Sequence, residues 1–261
     1  MQALRIAATG MAAQETNVEV ISNNIANMRT TGFKKYRAEF QDLLYQSLRR
    51  EGTSTSTAGT MVPTGVQVGM GVQTAATSRI MSQGSVSITE KELDVAIRGE
   101  GFFEIELPDG RTAYTRDGTF ERDAEGRIVT VDGFVVQPEM TIPDEARSVT
   151  INNEGTVEII LEDDANPVEL GRLTLTRFVN KGGLLPIGEN LFVETAASGN
   201  PQVGNAADEG FGSLLQGYLE ESNVDAVTEI SDLIAAQRAY EMNSRVISAA
   251  DEMMASVSNL R

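Results

Sequence analysis

Apolar positions in the first 28 residues repeat at helical spacing. Leu4, Met11, Val18 and Ile25 recur every seven residues, and Ala7, Gln14, Ile21 and Met28 fall at the complementary heptad position. Such a seam predicts one amphipathic helix over 1–28, with Gln14 as its polar member. Gly10 weakens it locally. Thr30-Thr31-Gly32 ends it, with Gly32 suited to the left-handed position after the last turn.

From about Asn223 to Arg261 there is neither Pro nor Gly. Apolar residues fall at Val224, Val227, Ile230, Leu233 and Ile234, then in a second register at Val246, Ala250, Met253, Val257 and Leu260. This predicts a second helix, more than about 50 Å long, of coiled-coil type. Ser222 or Asn223 is the expected N-cap, with Asp225 in the first turn.

Between the helices the period changes to two. Gly101 to Leu107 reads as a strand closed by Pro108-Asp109-Gly110. Strands at 111–116, 119–122, 127–131 and 134–137 follow, separated by Asp117-Gly118, Asp123-Ala124-Glu125-Gly126 and Asp132-Gly133. That spacing describes an antiparallel meander. Val149–Ile151, Val157–Leu161, Arg172–Val179 and Leu191–Glu194 read as further strands. Gly52 to Gly59 is a low-complexity, linker-like run, and 197–213 a return passage.

The fold class expected is α+β: N- and C-terminal helices form a coiled-coil-like assembly domain around a central antiparallel β domain. The expected boundaries are 1–32 for the N-terminal helix, 33–72 for a connecting segment with an extended stretch, 73–215 for the β domain and 216–261 for the C-terminal helix. Charge follows the same division. Residues 1–50 carry seven bases and four acids, whereas 90–170 carry twenty-one acids and seven bases, out of a net charge of −17.

Composition removes most chemistry. The 261 residues include no Cys, His or Trp. Disulfides, thiolate or imidazole metal sites and histidine-dependent triads are therefore excluded. A chain this acidic does not grip nucleic-acid phosphates. No apolar run reaches the length of a membrane span, and the N-terminus does not read as a secretory signal peptide. Gly99-Glu100-Gly101 imitates a dinucleotide fingerprint, but Glu104 stands where its third glycine belongs. Asp123 to Gly126 imitates part of a calcium loop and reads better as a hairpin turn. No catalytic, metal-binding or cofactor-binding residue is expected. The apolar stripes of the two helices could simply cover each other. They offer more apolar surface than one partner helix hides, which points to packing between chains.

Several runs carry a resemblance. Ser22-Asn23-Asn24-Ile25-Ala26-Asn27 with Thr31-Gly32-Phe33-Lys34 resembles the N-terminal signature of bacterial flagellar rod and hook proteins. Leu93 to Phe103, with Gly99, Gly101, Phe102 and Phe103, is similar to their central motif, as is Tyr114 to Phe120. Gly217 to Asp225, with Ser222, Asn223 and Val224, resembles their C-terminal motif, and so does Gln237-Arg238-Ala239-Tyr240-Glu241. Within the family the distal-rod type is the nearest likeness, and Glu51 to Gly71 looks like the stretch that stiffens it. The proximal-rod and hook types are the alternatives.

The resemblance implies a structural subunit rather than an enzyme, polymerising helically into a hollow, rigid drive shaft. That shaft would span the periplasm in the basal body, transmit torque from motor to hook and pass exported subunits. Implied partners are further copies of the chain, proximal rod proteins, the hook protein, the surrounding P and L ring proteins, and the flagellar type III export apparatus, with no membrane insertion and no cofactor. The expected subunit interface is Leu4, Met11, Val18, Ile21 and Ile25 on the first helix. On the last helix it is Val227, Ile230, Ile234, Val246, Ala250, Met253, Val257 and Leu260. The polar flank of Gln237, Arg238, Asn243 and Ser244 is expected to face the channel. The family motif residues are Asn23, Asn24, Ala26, Asn27, Gly32, Phe33, Lys34 and Arg238, together with the central and C-terminal ones named above.

Overall fold

A computed structural model describes residues 2–49, 64–161 and 166–259. The Gly52–Gly59 run, most of the 51–71 stretch, the side chain of Val257, and Leu260 lie outside the described residues. Contacts divide the chain into two compact units. The helix unit takes the described residues of Met1–Ile25, Tyr36–Ser78 and Asp225–Arg261. The β unit takes those of Ala26–Lys35 and Arg79–Val224.

The helix unit contains α1 (Gln2–Ala26), β1 (Tyr36–Asp42), β2 (Tyr45–Arg49), β3 (Val66–Gly69), β4 (Val72–Arg79) and α2 (Ala226–Asn259). β1 pairs with β4 and β2 with β3, giving a two-stranded ribbon within what reads in the sequence as a connecting segment. Gly71 has φ +120, and a Cβ there would sit 2.1 Å from Thr9 Oγ1 of α1. Only glycine allows the ribbon to run that close to the helix. Neither helix is long and apolar enough to cross a membrane.

The β unit contains β5 (Val86–Ile88), β6 (Val95–Arg98), β7 (Phe103–Glu106), β8 (Thr112–Thr115), β9 (Phe120–Arg122) and β10 (Ile128–Thr130). Next come β11 (Val135–Gln137), β12 (Ala146–Ile151), β13 (Thr156–Leu161), β14 (Val168–Arg172) and β15 (Thr174–Arg177). β16 (Leu185–Gly188), β17 (Leu191–Val193), β18 (Gln202–Asn205), β19 (Ser213–Gln216) and β20 (Tyr218–Glu220) complete it. The main sheet has the order β16-β17-β8-β7-β11-β10-β9, and its pairs are antiparallel. The α+β class read from the sequence is the one observed.

Turn chemistry explains most of that order. Gly110, at φ +78, closes β7 onto β8, with Gly110 N donating to Leu107 O at 2.9 Å. Asp123 Oδ1 accepts the amides of Glu125 and Arg127, at 3.0 and 2.7 Å, and shapes the β9–β10 hairpin. Asp117-Gly118 behaves differently from the hairpin turn the sequence suggests. β8 pairs with β7 and β17, while β9 pairs with β10. Asp117 Oδ1 accepts from the Thr119 amide and hydroxyl, at 3.1 and 2.7 Å, and Oδ2 from Asn190 Nδ2 at 3.1 Å. Val95 N donates to Gly118 O at 3.0 Å, so this turn leads the chain away from β8.

The adjacent Phe102 and Phe103 point to opposite sides, as strand periodicity requires. Phe103 enters the main core with Ile105, Phe120, Ile128, Val136 and Ile159, its ring 5.0 Å from that of Phe120. Phe102 joins a second cluster with Tyr114, Phe178, Leu184 and Phe192. Burial there, with the carboxylates of Glu104 and Glu194, pushes the Tyr114 phenol up to about 12.

Candidate assembly surface

Asp225 caps α2: its Oδ1 accepts the Thr228 amide at 2.8 Å. This corrects the expectation of Ser222 or Asn223. The Ser222 hydroxyl accepts from the Val224 amide at 3.3 Å. Asn223 is occupied within the β unit: Nδ2 donates to Ile80 O at 2.8 Å and Oδ1 accepts from the Lys35 amide at 2.8 Å.

The two helices meet along a line of small and polar side chains. Asn24 Nδ2 donates to Glu229 Oε2 at 3.1 Å and to Tyr36 O at 2.8 Å, while Asn24 Oδ1 accepts from the Tyr36 amide at 2.8 Å. A Cβ on Gly10 would lie 2.9 Å from Asn243 Nδ2. These contacts lie fourteen residues apart on each helix and run in opposite senses, so the pairing is antiparallel. Along α2 the inward positions are Glu229, Leu233, Ala236, Asn243, Ile247 and Ala250, all buried or half-buried. They are spaced four, three, seven, four and three residues apart, a heptad-type stripe in which Tyr240 is exposed.

On α1 this line passes through Gly10 and Asn24, one residue before the expected Met11 and Ile25. One residue is about 100° of rotation on a helix. Ile21 is therefore buried, whereas Leu4, Met11, Val18 and Ile25 lie half-buried at the edge of the contact. On α2, Ala250 is buried, but Val227 is 74% exposed, Ile234 46% and Val246 47%, with Ile230 and Met253 also exposed. Asn243 faces α1 rather than joining exposed Gln237, Arg238 and Ser244 on a polar flank. Glu15, Val18, Glu19, Gln237, Tyr240 and Glu241 line a groove of about 530 Å³ between the helices.

Replacing Asn24 by alanine strips partners from both peptide groups of Tyr36 and a donor from buried Glu229. The expected cost is about 1–3 kcal/mol per unsatisfied group. It should appear as a lower melting temperature of assembled protein; an unchanged value would show that Asn24 does not hold the register.

In the β unit, the segments that lead to α1 and α2 are pinned to each other. Lys34, Arg116 and Glu220 form a buried cluster whose side chains are 1%, 4% and 0% exposed. Lys34 Nζ donates to Glu220 Oε1 and, at 3.0 Å, to Ser82 O. Arg116 Nη1 donates to Glu220 Oε2 at 3.1 Å, and its Nη2 donates to Gly99 O at 2.6 Å. The Gly84 amide completes the carboxylate at 2.9 Å. Burial lowers the affinity of both cations for their protons, and Glu220 opposes that in each case. Gly32, at φ +67, donates its amide to Glu220 O at 2.8 Å. A Cβ there would come within 3.0 Å of the Arg116–Asp117 peptide.

The motif residues thus take distinct places. Asn24 serves the helix pair, and Asn27 O accepts from the Thr30 amide at 3.2 Å. Gly32, Lys34 and Asn223 serve the junction. Gly99 and Gly101 have φ +111 and +141, and Phe102 and Phe103 fill the two apolar clusters. Sequence reasoning missed Glu220, Arg116 and Glu229 as centres of contact. A seven-residue repeat through Glu229, Ala236, Asn243 and Ala250 is present in the sequence for the helix seam, though weak in apolar character. Nothing in sequence spacing pairs Lys34 with a glutamate 186 residues away. Among the described residues no three acidic side chains cluster to hold a metal ion.

Comparison with known proteins fits this layout. Residues 4–34 match the family described as flagella basal body rod protein. Residues 96–159 match the flagellar hook protein FlgE/F/G D1 domain, and 215–260 the flagellar basal body rod FlgEFG protein C-terminal region. The flagellar basal-body rod protein FlgG of Caulobacter vibrioides is 56% identical over the whole of both chains. That of Agrobacterium fabrum is 53% identical over 99% of this chain and 98% of its own. The Bacillus subtilis protein of the same name is 37% identical over 97% and 96%. With identities this high along the full length, the chain belongs to the FlgG family of flagellar basal-body rod proteins.

Proposed function

We propose that the chain is a structural subunit of the distal rod and that it assembles through the outer flanks of α1 and α2. The observation that carries this is the imbalance of buried apolar side chains. Among the described residues of the helix unit, the fully buried ones are Ala7, Ala13, Ile21, Ala236 and Ala250. Four of the five are alanine, while the β unit buries Phe, Ile, Leu and Val throughout. Ordering a residue costs about 1–2 kcal/mol of backbone entropy. A buried methyl or methylene returns only about 0.8 kcal/mol. The helix pair therefore needs neighbours to become stable.

Val227, Ile230, Ile234, Val246 and Met253, with Leu4, Met11, Val18 and Ile25, supply the surface for those neighbours. A face on one copy meeting a different face on the next makes an interface that does not close, so it propagates into a helical polymer. Ends that order only against waiting neighbours confine growth to the tip. In this reading the polymer is the hollow shaft between motor and hook. It meets the proximal rod and the hook at its ends and the P and L rings around it, after export through the type III apparatus. The chain performs no catalysis.

Amide hydrogen exchange on dilute subunit tests the account. Residues 2–25 and 226–256 should exchange within seconds, while β7, β8 and β13 stay protected. Strong protection of both helices in a verified monomer would overturn it.

A further inference from the structure

We propose that Met242, Met253 and Met254 form an oxidation site through which hydrogen peroxide blocks free subunits from assembling and spares those already assembled. The proposal rests on the assembly surface described above. The chain has no Cys, Trp or His, so thioether sulfur is its main target for two-electron oxidation. Met140 is protected inside the β core. Met11, Met70 and Met81 are half-buried. Among the described residues Met28 is 38% exposed, and the most exposed methionines are on α2, where Met242 is 60% exposed, Met253 63% and Met254 47%. They share that helix with Ile234 and Val246, which the polymer is proposed to bury.

The chemistry is an oxygen transfer. The sulfur lone pair attacks one peroxide oxygen, the O–O bond breaks, and the other oxygen leaves as water. Sulfur loses two electrons and peroxide gains them. The sulfoxide is polar and chiral, so a side chain suited to apolar packing becomes one that needs a hydrogen-bond donor. In the assembled state the same sulfurs are shielded. The modification thus acts on unassembled subunits, and a thiol-dependent sulfoxide reductase reverses it.

The test uses the full chain treated with hydrogen peroxide before or after assembly, with catalase ending the reaction. Peptide mass spectrometry reads each sulfoxide and sedimentation reads polymer. In free subunit, Met242, Met253 and Met254 should oxidise about tenfold or more faster than Met140, and the concentration needed for assembly should rise about tenfold or more. Reductases for both sulfoxide epimers should restore it. In polymer, the three sites should oxidise about tenfold less. A Met242→Leu, Met253→Leu, Met254→Leu variant, compared with its own untreated sample, should assemble equally well after peroxide.

Full oxidation with assembly intact would overturn the proposal, as would equal oxidation in polymer and free subunit. Assembly of Ile234→Asp at wild-type concentration would instead overturn the assembly surface itself. That separates the two failures.

Discussion

Replacing Glu220 by alanine is expected to cost the β unit about 3–5 kcal/mol, the penalty for removing one partner of a buried ion cluster. Glu220 bridges the two cations, and its side chain is fully buried. Without it, Lys34 and Arg116 face each other in a site that water does not reach, and the Gly84 amide loses its acceptor. A total stability of about 5–15 kcal/mol makes this a large fraction. Lys34→Met should be much milder, because Glu220 keeps Arg116 and the Gly84 amide. Urea unfolding followed by tyrosine fluorescence reads both. Equal midpoints for the two variants would contradict a cluster organised around Glu220.

Replacing Ile234 or Val246 by aspartate should abolish polymer while leaving that urea midpoint unchanged. Both side chains are nearly half exposed in the single chain, so folding does not depend on them. Burying an apolar side chain of this size is worth about 1.5–3 kcal/mol, and burying an unpaired carboxylate adds a further penalty. The loss recurs at every subunit of an open polymer. The concentration needed for assembly should therefore rise about a hundredfold or more, as read by sedimentation. Assembly of either variant at wild-type concentration would remove these residues from the interface.

The helices and the meander were legible because their signals are local. Heptad spacing places α1 to within two residues at each end, and three of the four turns read from Asp and Gly close hairpins. The helix seam keeps Ala7 and Ile21 of the expected heptad but shifts by one residue from Met11 and Ile25 to Gly10 and Asn24. Gly10 and Asn24 win that position by size and by hydrogen bonding. The displaced apolar residues are then the ones left for neighbours. The cap of α2 was misplaced for a related reason: Asn223 is a good capping residue in isolation but is claimed by Ile80 and Lys35. The Lys34–Arg116–Glu220 junction was not legible, since it joins three segments whose relation exists only in the folded chain. Short strands such as β5, β6 and β20 were missed because three or four residues carry too little periodicity.

In the assembled polymer the outer flanks of α1 and α2 should join one copy to the next. Electron cryomicroscopy of the assembled polymer tests it most directly. The polymer should be a straight hollow tube in which Val227, Ile230, Ile234 and Val246 are buried against neighbouring copies. A tube in which those side chains face solvent, with copies joined only through their β units, would contradict it.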